Sequence, residues 1–260
     1  MKIKLLIQLL CITLLYSCST REEKSLINKG QVYSDKGQYD LAIKYFSKAI
    51  KLNPNNYRTY LDRSTAYQNK EKNDSALFDL NKAINLNSKS NTCFYCRAVV
   101  YMNLANYNMA IKDFSNAIKL DSTDVDSYSY RGFSYVMIKN YEYALKDINK
   151  AMRFEPNNPN LYSNRGGIYL GYGKYELAIA DYNTTIQMAS DNKSKAGGLY
   201  NRGIGYKKLG NRRNSIADFK MSADLGNESA NKYLKDSFNI DYPINKRVEK
   251  GNASKVPTKR

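Results

Sequence analysis

Two groups of residues in this sequence have types and spacings that could do chemistry. Cys93-Phe94-Tyr95-Cys96 is a CxxC pair, the spacing of dithiol redox centres and of half a zinc site. Arg63, Arg97, Arg131, Arg165 and Arg202 recur along the chain and could hold carboxylates or phosphates, while Asp79, Asp113, Asp147, Asp181 and Asp218 recur behind them and could neutralise them. Against these stands an absence: His 0 removes Ser-His-Asp and Cys-His nucleophile systems, HExxH zinc sites and imidazole acid–base catalysis. No Ser/Lys cluster, carboxylate pair or Gly-rich phosphate loop stands out either. No enzyme activity is expected.

The elements that must position these residues come from an internal repeat. Ala42, Ala76, Ala110, Ala144 and Ala178 are spaced by 34 residues, and Ala49, Ala83, Ala117 and Ala151 follow them in a second series that becomes Thr185. Tyrosine recurs at the same period at Tyr33, Tyr67, Tyr101, Tyr135, Tyr169 and, after a three-residue insertion, Tyr206. Numbering each repeat 1–34, these are positions 20, 27 and 11. Position 8 is small (Gly30, Ser64, Ala98, Gly132, Gly166, Gly203) and position 24 large (Phe46, Leu80, Phe114, Ile148, Tyr182, Phe219). This pattern resembles the tetratricopeptide repeat (TPR) family. The resemblance implies an all-α solenoid of about six helix-turn-helix repeats at 23–56, 57–90, 91–124, 125–158, 159–192 and 196–226. A capping helix is expected at 227–238, with Ala230, Tyr233 and Leu234 on one face. The 24 tyrosines then read as packing residues, and no cofactor is implied.

The repeat frame weighs the chemistry. The arginines occupy position 7 and the aspartates position 23; repeat 1 has Lys29 and Tyr45 there, so the two features vanish together. That co-loss favours a structural Arg–Asp ladder joining the two helices of each repeat, with an anion site as the alternative. The CxxC falls within the first helix of repeat 3, outside any βαβ context and without a second CxxC. A helical backbone strains a disulfide between residues three apart. Packing or a labile disulfide is expected, with redox catalysis and metal binding as alternatives.

Family resemblance also implies a concave surface lined by positions 2, 5, 9, 12 and 13 of each first helix. In the middle repeats these include Tyr95, Val99, Met102, Phe133, Val136, Met137 and Leu170, flanked by Asn69, Asn103 and Ser129. The Lys, Asn and Arg pattern of TPRs that clamp acidic chaperone tails is missing. An apolar groove suits a peptide or amphipathic helix held by packing; the alternative is that these side chains contact one another.

The N-terminus reads as an address. Met1 to Lys4 is basic, Leu5 to Ser17 is apolar and too short to span a bilayer of about 30 Å, and polar residues follow at once. Leu15-Tyr16-Ser17-Cys18 resembles the lipobox of bacterial lipoproteins, which implies a signal peptide at 1–17, acylation of Cys18 and a short tether at 18–22. Ser19 after the cysteine resembles outer-membrane sorting. Ordinary secretion and an uncleaved anchor are the alternatives. Net charge is +17, much of it on Lys44, Lys48, Lys51, Lys82, Lys112, Lys119, Lys146, Lys150 and Arg153 of the second helices. This convex face is expected to be solvated or to dock on anionic lipid or polysaccharide. Nucleic acid is not expected, because the address is extracytoplasmic and no base-stacking module is present. Residues 239–260 carry six Lys/Arg against two Asp/Glu and read as a basic disordered tail. The sum is a non-catalytic scaffold in the bacterial envelope that binds a protein or peptide partner.

Overall fold

Asn56, Ser90, Asp124 and Asn158 each stand at the last position of a repeat, and each side chain accepts a backbone N–H of the helix that follows. Those caps start the first helix of repeats 2 to 5. The computed structural model describes residues 20–242, which form helices throughout with no strand among them. Helix α1 runs through residues 20–35, so residues 20–22 of the expected tether are helical. It is followed by α2 (Tyr39–Leu52), α3 (Tyr57–Asn69), α4 (Asn73–Leu86), α5 (Asn91–Asn103), α6 (Tyr107–Leu120) and α7 (Val125–Met137). Then come α8 (Tyr141–Phe154), α9 (Pro159–Gly171), α10 (Tyr175–Met188), α11 (Asn192–Lys208), α12 (Arg212–Asp224) and α13 (Glu228–Phe238). The fold class is an all-α TPR solenoid with a C-terminal helix. The three-residue insertion makes no loop: α11 is 17 residues long where α9 is 13, and Asp191 caps the lengthened end through the Ser194 N–H.

Every turn within a repeat has one geometry. The position 16 N–H donates to the position 11 carbonyl and the position 15 N–H to the position 12 carbonyl, as in Asn106 to Tyr101 (2.8 Å) and Ala105 to Met102 (2.8 Å). This is the Schellman closure, which needs a left-handed residue at position 15. Gly37, Gly173 and Gly210 supply it at φ 71–80°, but Glu71, Ala105 and Lys139 adopt φ 54–60° with side chains attached.

The described chain divides into two compact units, with the boundary within α7 between Ser127 and Tyr128. In the first unit, Ala42, Ala76, Ala110, Ala49, Ala83 and Ala117 are wholly buried. A Cβ on Gly30 would meet the Phe46 ring at 2.5 Å, so position 8 is small because position 24 is large. In the second unit, the same relation holds between Gly166 and Tyr182 (2.7 Å) and between Gly203 and Phe219 (3.1 Å). Where position 20 or 27 departs from alanine there, the added hydroxyl is satisfied: Ser215 Oγ donates to the Gly203 carbonyl and Ser222 Oγ to that of Ala196. Helix α13 closes the second unit by burying Ala230, Leu234 and Phe238 against Phe219 and Ala223. Part of the expected tail is fixed with it: Ile240 N–H donates to the Leu234 carbonyl, and the Tyr242 hydroxyl donates to Asp224. Cys18, the signal segment and residues 243–260 lie outside the described residues.

Candidate functional site

Each ladder arginine grips its aspartate with two parallel hydrogen bonds. In the first unit, Arg63 Nε and Nη2 lie 2.7 Å from the Asp79 oxygens, and those of Arg97 lie 2.7 and 2.9 Å from Asp113. In the second unit, Arg131–Asp147, Arg165–Asp181 and Arg202–Asp218 repeat the geometry at 2.7–2.8 Å. All five aspartates are buried. The Asp113 hydrogen bonds hold the Arg97 guanidinium above its ordinary pKa despite burial, and Asp181 and Asp218 do the same for Arg165 and Arg202.

A third partner escaped the sequence reading. Arg63 Nη1 donates to Ser47, Arg97 Nη1 to Asn81, Arg165 Nη1 to Asn149 and Arg202 Nη1 to Asn183, all at position 25 of the preceding repeat. Each of these four guanidinium groups therefore ties its own two helices to the second helix before them. Aromatic rings flank it: Arg63 lies 5.8 Å from both Tyr60 and Tyr67, and Arg165 lies 5.7 Å from Tyr162 and 5.9 Å from Tyr169. In these four arginines all three guanidinium nitrogens are engaged inside the fold, as internal ion pairs.

Repeat 1 is different. Tyr45 stacks on Tyr33 at 5.2 Å, and the Lys29 and Lys48 ammonium groups lie 6.0 and 5.8 Å from the Tyr45 ring. A shallow open depression there is lined by Arg21, Lys24, Lys29 and Lys36 around Val32, Tyr33 and Tyr45.

Both cysteines of the CxxC are free thiols. Cys93 packs with Tyr60, Ala83 and Ile84, and Cys96 against Ala76, Leu80 and Val100. Burial pushes the Cys96 thiol up to about 12 and raises Cys93 as well, so little thiolate exists at neutral pH to act as nucleophile or ligand. Among the described residues no group of three or more Cys, Asp or Glu could hold a metal, and no helix is long and apolar enough to cross a membrane.

The expected groove residues separate by exposure. In the first unit, Tyr95, Val99 and Met102 are half-buried against Ala98, Ala110 and Phe114, with Tyr95 edge-on to Phe114 at 5.8 Å, while Asn69 and Asn103 are exposed. In the second unit, Phe133 is 49% and Met137 45% exposed, four residues apart on α7, while Val136 and Leu170 are half-buried. Tyr130 extends the same face at 40% exposure. At matching positions of α9 stand Gly167 and Gly171, both exposed, which add no side chain to that face; the Tyr141 ring lies 3.0 Å from where a Gly171 Cβ would be. The open apolar surface of the predicted groove is therefore on α7. Lys44, Lys48, Lys51 and Lys82, and in the second unit Lys146 and Arg153, are exposed on second helices. The Lys150 ammonium lies over the Phe154 ring at 5.1 Å.

Family models of the tetratricopeptide repeat match residues 23–56, and also 57–90 and 94–124. No curated protein matches the chain. Among solved structures, PilW, described as a widely conserved type IV pilus biogenesis factor, matches at a TM-score of 0.68 and 16% identity over 84% of this chain and 94% of its own. PilF of Pseudomonas aeruginosa matches at 0.67 and 15% identity, over 84% of this chain and 98% of its own. YrrB, described as a TPR protein with an unusual peptide-binding site, matches at 0.57 and 20% identity, over 73% of this chain and 97% of its own. Identities this low carry the fold alone. Residues 23–56, 57–90 and 94–124 of this chain are tetratricopeptide repeats, set in an all-α TPR solenoid.

Proposed function

We propose that the chain is a non-catalytic protein-interaction scaffold, tethered to a bacterial envelope membrane through lipid on Cys18, that binds a peptide or protein segment against the exposed face of α7. The observation that carries this reading is the pair Phe133 and Met137, two large apolar side chains left nearly half exposed, one helical turn apart. An aromatic anchor beside a flexible thioether gives a partner both a rigid surface and one that adapts to it. The likeness to YrrB supports a peptide ligand, and the Leu15-Tyr16-Ser17-Cys18 context supports the tether. Two or three acyl chains would exceed the two signals that stable anchoring takes. Truncating a central aromatic anchor often costs 2 kcal/mol or more, so Phe133→Ala should weaken partner capture by at least about tenfold while helicity by circular dichroism is unchanged. Unaltered capture would remove α7 as the binding face.

A second reading rests on the exposed lysines of the second helices, which would hold an anionic polymer or membrane surface. It predicts capture that falls steeply with ionic strength, and loss of capture when Lys112, Lys146 and Lys150 are all changed to Glu. The α7 reading predicts neither.

A further inference from the structure

The substitution of Lys29 and Tyr45 for the Arg–Asp rung changes what repeat 1 presents to its surroundings. Elsewhere a buried carboxylate neutralises the position 7 cation; in repeat 1 the Lys29 and Lys48 ammonium groups rest on the Tyr45 ring instead. Arg21, Lys24 and Lys36 join Lys29 around one open depression, which is also lined by Val32, 50% exposed, and by the stacked pair Tyr33–Tyr45. The acid best placed in the first turns of α1 to oppose these charges is turned away: Glu23 is buried, taking hydrogen bonds from Asn53 (3.0 Å) and Asn56 (2.7 Å). Glu22 and Asp35 are exposed on α1 but do not line the depression.

We propose that this end of repeat 1 docks on the headgroup layer of an anionic bilayer. Four lining cations would meet lipid phosphates, the amphipathic tyrosines suit the headgroup level, and Val32 sits where the surface meets acyl chain. Chain order supplies the occupant: Cys18 precedes Thr20 by two residues, so an acylated Cys18 delivers the first turns of α1, with Arg21 and Lys24, to the membrane surface. The inference rests on the tether reading in that respect, and it differs from docking through the second-helix lysines.

The test uses the full chain purified from its producing bacterium, with Val32→Cys carrying a fluorophore; the unsubstituted chain, in which Cys93 is buried, is the control for labelling at other thiols. Vesicles of phosphatidylcholine alone are compared with vesicles containing phosphatidylglycerol, each with a headgroup nitroxide quencher. Expected is quenching at position 32 in the anionic vesicles only, reduced about fivefold by Lys24→Glu with Lys29→Glu and Lys36→Glu. A label at Lys146→Cys should stay unquenched. Equal quenching in both vesicle types, or quenching at 146 and not at 32, overturns the proposal. Mass spectrometry of Cys18 reports the tether separately: without acyl chains the tether reading fails, and quenching is then read with Cys11→Ser and Cys18→Ser in place, where anionic-selective quenching at 32 would still establish the docking face and its absence would overturn it.

Discussion

Arg97 shows why one side chain can matter to three helices. It satisfies two oxygens of buried Asp113 and the Asn81 amide oxygen of the preceding repeat, with the Phe94 ring 5.7 Å away. Removing one partner of such a pair leaves a buried charge unmatched, at a cost of about 3–5 kcal/mol. Arg97→Ala and Asp113→Ala should each lower the unfolding free energy measured in urea by an amount of that order, and the double variant should cost less than their sum. Additivity within about 0.3 kcal/mol would contradict the pairing. Asp62 is the opposite case. Burial raises its pKa against the help of a Gln31 hydrogen bond and nearby Arg58, so the folded chain holds the proton more tightly than the unfolded chain does. Its ionisation therefore opposes folding at neutral pH, and the opposition fades as pH falls through the folded pKa. Asp62→Asn should raise the melting temperature at neutral pH, with the gain shrinking on acidification; a gain that grows on acidification would contradict the account. The arginines and aspartates were legible because both recur at one period and vanish together. Their third partner was not: position 25 alternates Ser47 with Asn81, Asn149 and Asn183, a polarity that reads as ordinary surface until the guanidinium is placed beside it.

Helices and turns divide the same way. At Gly30, Gly166 and Gly203 position 8 must be small because a ring from position 24 fills the space above it, a small–large pairing the sequence displays directly. The left-handed position 15 is hidden, because Gly37, Glu71, Ala105, Lys139, Gly173 and Gly210 share no chemistry, only a backbone angle. A non-glycine residue there carries a penalty of roughly 1–2 kcal/mol, so Ala105→Gly and Lys139→Gly should each stabilise by about 1 kcal/mol in urea unfolding. No change would mean that the turns relax in solution. Glycines inside helices predict a sign change. Gly132→Ala places its Cβ 3.4 Å from the nearest atom, the Ala144 carbonyl oxygen, and should gain up to about 1 kcal/mol from helix propensity. Gly166→Ala drives its Cβ to 2.7 Å from the Tyr182 ring and should cost about 1–3 kcal/mol.

For the whole molecule, the repeat period is readable because stacked helix pairs impose the same packing demand at every turn of the pattern. Which predicted groove residues stay open was not readable, since periodicity fixes a helical face but not its depth. Val99 and Phe133 both stand at position 9, yet Val99 packs on its own repeat core whereas Phe133 remains exposed. The proposal that a partner binds on α7 is tested most directly by site-specific photocrosslinking in the producing cell. A benzophenone residue replacing Phe133 should give a discrete adduct with a protein, and the same residue replacing Lys146 on α8 should not. Adducts from position 146 with none from position 133 would contradict the account.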